Sequence, residues 1–287
     1  HVSTQLVTVG ERELPVERIR STEDAAKAFA YLPRWAVEHF DAIVTDKDGK
    51  PLAIIGGFKG DVGSTSAPPS TLIAELSRID GASKLWAAHN HPSGMATLSD
   101  ADVRLDKNLQ RVLDGSGIEY HGLFAMVGAG SRTGVLKYDH TMVGPGEVRV
   151  SRRPLARVPI VDRELTDRRD DVEKLDHPAK SKSVIPQIAG DRPGLVFLDS
   201  QHGVSAFVPF SGDEMGSLRV QGRLMRLFRA ASKANARSAI VADPGGRLSA
   251  KQVGNLATAL SNVDITLLDA VSYDPGGGDT QHRSWAE

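Results

Sequence analysis

Cysteine is absent from this chain of 287 residues. That excludes disulfide staples, a cysteine nucleophile and any thiolate metal site, and it fits a reducing, cytoplasmic setting. No apolar run approaches the roughly 18 residues of a spanning helix, so no membrane segment is expected. Net charge is almost absent: 35 Lys+Arg stand against 36 Asp+Glu, leaving −1. A uniformly basic nucleic-acid coat and a wholly acidic disordered chain are thereby excluded. Aromatic residues are scarce, at 5%, which argues against the stacking platforms of single-strand nucleic-acid binders. No signal-peptide pattern opens the chain, and it starts at His1 rather than Met; a processed or excised piece of a longer polypeptide is expected. What is present is ordinary for a globular protein. Hydrophobic residues make up 40% and charged residues 25%, over a length that suggests two domains.

Local patterns place the elements. Val2 to Ile19 alternates loosely around Gly10 and Pro15 and reads as a short hairpin or two edge strands. Ser21 is a plausible N-cap for an alanine-rich helix over Ala25 to Val37, which Pro33 must break or kink. Phe40 to Thr45 and Pro51 to Phe58 read as strands joined by a turn at Asp46-Lys47-Asp48-Gly49-Lys50, where Asp-Gly tolerates positive φ. A helix is expected over Ser70 to Ile79. A short buried strand, Leu85 to Ala88, runs into His89; a helix capped by Ser99 follows to Leu113, then a strand over Glu119 to Val127. Residues 144–193 are rich in proline and mixed charge and read as a connector with a few extended or helical pieces.

After residue 193 the order returns at an offset near 150 residues. Leu195 to Asp199 resembles Ala42 to Asp46. A turn at Ser200 to Gly203 and a strand over Val204 to Phe210 follow, then a helix over Ser217 to Ala234. Ser238 to Gly246 parallels the stretch from Lys84 to Gly94, Leu248-Ser249 parallels Leu98-Ser99, and Val263 to Leu268 closes the unit. The matching order favours a duplication over a solenoid, whose period is far shorter.

The chemistry concentrates in Ala88-His89-Asn90-His91-Pro92-Ser93-Gly94 and in Ser99-Asp100-Ala101-Asp102. Histidines at i and i+2 can face one ion where a strand ends. Two imidazoles and a carboxylate suit Zn²⁺ and leave a fourth position for water, which ionises near neutral pH. Asp102, one turn into the helix, can close the set. The competing explanation is local: Ser99-x-x-Asp102 is also a capping-box variant, which by itself accounts for both residues.

These motifs resemble the JAB/MPN (JAMM) metallopeptidase family, and within it the RadC-like branch. Ile19 to Asp24 and His121 to Gly128 carry the likeness as well, which covers roughly residues 19–130. The resemblance implies zinc bound by His89, His91 and Asp102, with Ser99 holding the substrate carbonyl or the tetrahedral intermediate. It also implies a cytidine-deaminase-like α/β fold, a mixed sheet flanked by helices, acting on peptide or isopeptide bonds of a protein or peptide substrate. The RadC-like branch is tied by name to DNA repair and is found on mobile elements. The family takes its general base from a glutamate on a strand near the start of the domain. The stretch matched to that strand here, Ile54 to Gly60, has no carboxylate, so the base is expected to be missing or supplied by Asp61 or Glu75.

The second copy has Ala242-Asp243-Pro244 in the His-x-His place and Gln252 in the place of Asp102, so no metal site of this type is expected there. The expected architecture is α/β, with two tandem JAB/MPN domains. Residues 1–143 form the zinc-bearing one, 144–193 the linker, and 194–287 a degenerate copy that pairs with the first. A separate feature is a row of cations, Arg219, Arg223, Arg226, Arg229, Lys233 and Arg237, on one helical face. It can track phosphates, so DNA is an expected partner, unless Asp167, Asp170, Asp171 and Glu173 neutralise it. Two functions therefore compete: a zinc-dependent amide hydrolase, and a non-catalytic zinc-containing module associated with protein or nucleic acid.

Overall fold

The computed structural model describes residues 2–59, 69–128, 134–151, 153–168, 173–218, 222–277 and 281–284. The chain divides into two compact units, Leu6–Asp162 and Arg163–Glu287 with His1–Gln5. It is a mixed α/β protein with two sheets flanked by helices.

Strand β1 (Val2–Leu14), in the first unit from Leu6 onward, is one continuous strand rather than a hairpin. Gly10 stays in the ordinary extended region instead of turning the chain, and the strand stops ahead of Pro15. Helix α1 (Thr22–Ala28) is capped as expected, with Ser21 Oγ accepting from Asp24 N–H at 3.1 Å. The helix ends well before Val37, and Pro33 lies in a separate 3-10 turn, Leu32–Arg34. Strands β2 (His39–Thr45) and β3 (Pro51–Lys59) form the predicted hairpin, closed where Gly49 takes φ +83°. Helix α2 (Pro69–Leu76), β4 (Lys84–Asn90), α3 (Asp100–Leu113) and β5 (Glu119–Gly128) follow. Within residues 144–193 the structure places β7 (Gly144–Arg149), β8 (Ala156–Arg168) and α4 (Pro178–Ala189), and β6 (Val135–His140) precedes them.

The eight strands order as β1-β8-β3-β2-β4-β5-β6-β7. At the centre β2 runs antiparallel to both β3 and β4, and β4 runs parallel to β5. Every residue of β2 is buried, as a strand covered on both faces requires. One face packs Ile43, Ile54, Trp86, Ala88 and Phe124 against Phe29 and Leu32 from the α1 region. Each of the Ile, Leu and Phe side chains contributes about 1.5–3 kcal/mol when fully buried.

In the second unit β9 (Gly194–Leu198), β10 (Val204–Pro209), β11 (Ser238–Pro244), β12 (Thr266–Tyr273) and β13 (Gln281–Ser284) order as β10-β9-β11-β12-β13. Order and directions repeat those of β3-β2-β4-β5-β6, including the single parallel pair at the centre, here β11 with β12. The helix read over Ser217 to Ala234 is shorter, α6 (Arg223–Lys233), and a separate short helix, α5 (Gly212–Gly216), boxed by Ser211 and Glu214, precedes it. Gly222, left-handed at φ +73°, sets the start of α6. Helix α7 (Ala250–Ser261) begins at a Ser249–Gln252 capping box. No helix among the described residues is long and apolar enough to cross a membrane.

Candidate metal centre

The site lies where β4 runs out. Its alternation puts Leu85, Ala87 and His89 on one face and Trp86, Ala88 and Asn90 on the other. His89 is paired across to Phe40 of β2 and Ala125 of β5, which fixes its backbone on both sides. His91 follows one residue past the strand, its N–H donating to Met126 O at 3.1 Å. The chain then reverses through Pro92 and Gly94, the latter at φ +79°, and enters α3.

Asp102 reaches back from the first turn of α3. Its Oδ2 accepts from Ser99 N–H at 2.7 Å, while Ser99 Oγ accepts from Asp102 N–H at 3.2 Å. The capping box is therefore real. The same carboxylate also stands 3.2 Å (Oδ1) from His89 Nε2 and 3.5 Å (Oδ2) from His91 Nε2. Capping and metal-ligand geometry, alternatives on sequence grounds, coexist in one side chain. The helix is locked one turn further on, where buried Asp106 accepts from Tyr120 OH at 2.9 Å and Thr141 Oγ1 at 3.1 Å.

The fourth member is Glu38. Its Oε1 lies 3.7 Å from His89 Nε2, and one donor atom from each of Glu38, His89, His91 and Asp102 falls within 4.8 Å of the others. A carboxylate does stand in this group, where the stretch matched on sequence, Ile54 to Gly60, has none. The carboxylate comes from the residue preceding β2, not from β3. Phe40 shares the face of His89, so alternation returns Glu38 to that same face. Of the substitutes named on sequence grounds, Glu75 is buried on α2 outside this group, and Asp61 lies outside the described residues.

The donor set fits a small divalent cation. Bonds of about 2.0–2.2 Å in a tetrahedron put ligand atoms roughly 3.3–3.6 Å apart. The carboxylate separations here, 3.2 to 3.7 Å, bracket that range, while the two imidazole Nε2 atoms, 2.7 Å apart, stand closer, at hydrogen-bond distance. His91 Nδ1 lies 2.7 Å from Met95 O. A carbonyl only accepts, so Nδ1 carries a proton; Nε2 is then the atom that can offer a lone pair to a cation or, protonated in the metal-free chain, a hydrogen to Asp102. Burial alone would raise the Asp102 carboxyl, but hydrogen bonds from His89, His91 and Ser99 outweigh it and hold the group well below the usual range. The Asp102 hydrogen bond raises His91 in turn. Ser99 is exposed at the rim, and its hydroxyl, which only accepts from Asp102 N–H, keeps its own hydrogen to donate.

The cation row is less open than its spacing suggests. Arg219 lies outside the described residues, as do Asp170 and Asp171. On α6, Arg223 donates to Asp213 O and Arg226 pairs with Glu214 at 2.7 Å while covering the Phe210 ring. Arg229 is half-buried and Lys233 exposed.

Two histidines and two carboxylates thus come together at the end of β4 in an α/β layer, a group that could hold a metal ion. Residues 19–132 match the RadC-like JAB domain. Similar curated proteins include UPF0758 proteins of Alteromonas mediterranea, 33% identical over 26% of this chain and 33% of the relative, and of Cellvibrio japonicus, 29% identical over 42% and 45%. A third, from Albidiferax ferrireducens, is 30% identical over 47% of this chain and 51% of its own. The chain thus spans a third to a half of the length of these relatives.

Proposed function

We propose that this domain is a zinc-dependent hydrolase of amide bonds, peptide or isopeptide, with His89, His91 and Asp102 as metal ligands and Glu38 as general base. The observation that carries the reading is the convergence of Glu38 on the three ligand side chains. Zinc, when bound, supplies Lewis acidity and a water acidified to near neutrality. The rest falls to the chain. Glu38 Oε1 accepts the proton of the attacking water and returns it to the leaving nitrogen. Ser99 Oγ, at the mouth, donates its free hydrogen to the developing oxyanion. Asp102 and the Met95 carbonyl keep both imidazoles oriented.

We further propose that the second unit is a degenerate copy of the first. Its strand order supports this, as does Ser249–Gln252 standing as a capping box in the place of Ser99–Asp102. Asp243, in the His-x-His place, is committed to structure: its carboxylate accepts from Arg247 N–H, Leu248 N–H and Ser272 Oγ.

Elemental analysis tests the first reading. The chain purified without chelator is expected to carry about one zinc, lost in His89→Ala/His91→Ala and retained in Glu38→Gln. Against a library of lysine-linked isopeptides, Glu38→Gln should be slower by about 10²–10⁴. Absence of zinc after zinc is added back refutes the hydrolase and leaves a JAB-shaped binding module.

A further inference from the structure

Asn90 stands between the two histidines in sequence but faces the other side of β4. It is 1% exposed. Its Oδ1 accepts from His39 N–H at 2.7 Å, and its Nδ2 donates to Trp35 O and Val37 O, each at 3.1 Å. Those partners fix the amide orientation, since a backbone N–H only donates and a carbonyl only accepts. All three belong to residues 35–39, the run that leaves the 3-10 turn and enters β2. Glu38 sits inside that run.

Packing holds this segment poorly. Trp35 and Val37 are each 43% exposed, and residues 34–37 are all at the surface. A segment with few buried apolar contacts opens easily unless hydrogen bonds restrain it. The β2–β4 register sets the face of Glu38, and Asn90, from the strand that also carries His89, adds three hydrogen bonds that restrain the segment just ahead of that pairing. Only a short group with one acceptor and two donor hydrogens matches the three partners. Aspartate would set a carboxylate oxygen against two carbonyls, and alanine would remove all three bonds.

We propose that Asn90 is a positioning residue that clamps residues 35–39 and thereby holds the Glu38 carboxylate at the metal centre. The inference rests on the metal reading above. It touches neither metal nor substrate itself and acts through Glu38.

The test uses the full chain, with Co²⁺ alone as the probe in place of zinc. The unsubstituted chain is compared with Asn90→Ala, Asn90→Asp, Glu38→Gln and the double variant Glu38→Gln/Asn90→Ala. Each variant is expected to take up one Co²⁺. The visible spectrum of Asn90→Ala should move to that of Glu38→Gln, and the double variant should show no further change, because both substitutions remove the same contact. In the metal-free chain, amides of residues 36–40 should exchange roughly tenfold faster in Asn90→Ala, with the rest of the sheet unchanged. A cobalt spectrum of Asn90→Ala identical to the unsubstituted one, or spectral changes that add in the double variant, overturns the proposal. Unchanged exchange with normal cobalt uptake overturns the clamp while the metal reading stands. No cobalt uptake by the unsubstituted chain overturns the metal reading and with it the role of Glu38. Should Asn90→Ala not fold, Asn90→Asp, which keeps the shape, carries both measurements.

Discussion

Asp102 carries two duties that substitution can separate. As the third helical residue of α3 it closes the capping box with Ser99, and as an acceptor it faces both imidazoles. Ser99→Ala removes one capping bond and none of the four converging donors. Loss of such a cap costs about 1 kcal/mol, within a range of about 0.5–2. Asp102→Ala removes the reciprocal bond to Ser99 N–H and also the carboxylate, only 14% exposed, that faces His89 and His91. Hydrogen bonds to a charged group are worth about 1.5–3 kcal/mol, so the metal-free chain should lose about 2–4 kcal/mol in total. Asp102→Asn retains an acceptor for Ser99 N–H and should fall between the two.

Zinc then discriminates. At about 100 times its dissociation constant a ligand that binds only the folded state adds about 2.7 kcal/mol. Urea unfolding followed by tryptophan fluorescence, with chelator and with excess zinc, reads this increment for the unit that contains Trp35 and Trp86. Ser99→Ala should keep it in full, and Asp102→Ala should lose most of it. If Asp102→Ala gains as much from zinc as the unsubstituted chain, Asp102 is a cap and nothing more. If Ser99→Ala loses the increment as well, the two duties are not separable and the geometric argument fails.

The sequence exposed what local rules govern. A buried strand running into His-x-His-Pro, a reversal at Gly94 and a helix opened by Ser99 are all written within about fifteen consecutive residues, and each needs only its neighbours to form. Glu38 was hidden for the opposite reason. Its place beside His89 depends on the register of β2 against β4, a pairing between residues about fifty positions apart, and a one-residue slip would turn it to the other face. The usable signal was parity: a carboxylate two residues ahead of Phe40, just before a strand buried along its whole length. Asn90 was passed over because its partners are backbone groups, which leave no mark on a sequence. The helix across residues 217–234 misled because its cationic spacing is helical on both sides of Gly222, and a glycine inside such a pattern signals a break only weakly. The pairing of β3 with β8 joins Ile54 to Ile160, and nothing near either residue announces it.

Two further outcomes follow from the packing behind the site. Asp106→Ala leaves the Tyr120 hydroxyl without its acceptor, while Thr141 Oγ1 still has Leu123 O at 3.5 Å. A loss of about 2–4 kcal/mol is expected by urea unfolding, with a smaller loss in Asp106→Asn; equal effects would show that the acceptor, rather than the charge, is irrelevant to the anchor. His140 sets a pH dependence. The ring is 3% exposed and stacked 4.0 Å from Phe124, its Nε2–H donates to His121 O at 2.6 Å, and its Nδ1 has no hydrogen-bond partner. Burial lowers its pKa, and nearby Asp106 and Asp139 oppose that shift without reversing it. Below the unfolded value of about 6.5, the unfolded chain takes up a proton that the folded chain refuses. The stability is therefore present above about pH 6.5 and lost as pH falls from there toward the lower folded pKa, at no more than about 1.4 kcal/mol per pH unit for this one proton. His121, lowered by burial as well, adds in the same direction, whereas His91, raised in the metal-free chain, works against both. Comparing the unsubstituted chain with His140→Gln cancels the His91 contribution and the part of the His121 contribution that comes from burial. Gln keeps a donor for His121 O and cannot titrate, so its stability should fall less steeply between pH 7 and 5.5. Parallel curves would mean that His140 accepts its second proton within the fold, and that the uncapped Nδ1 is not the cost that burial makes it.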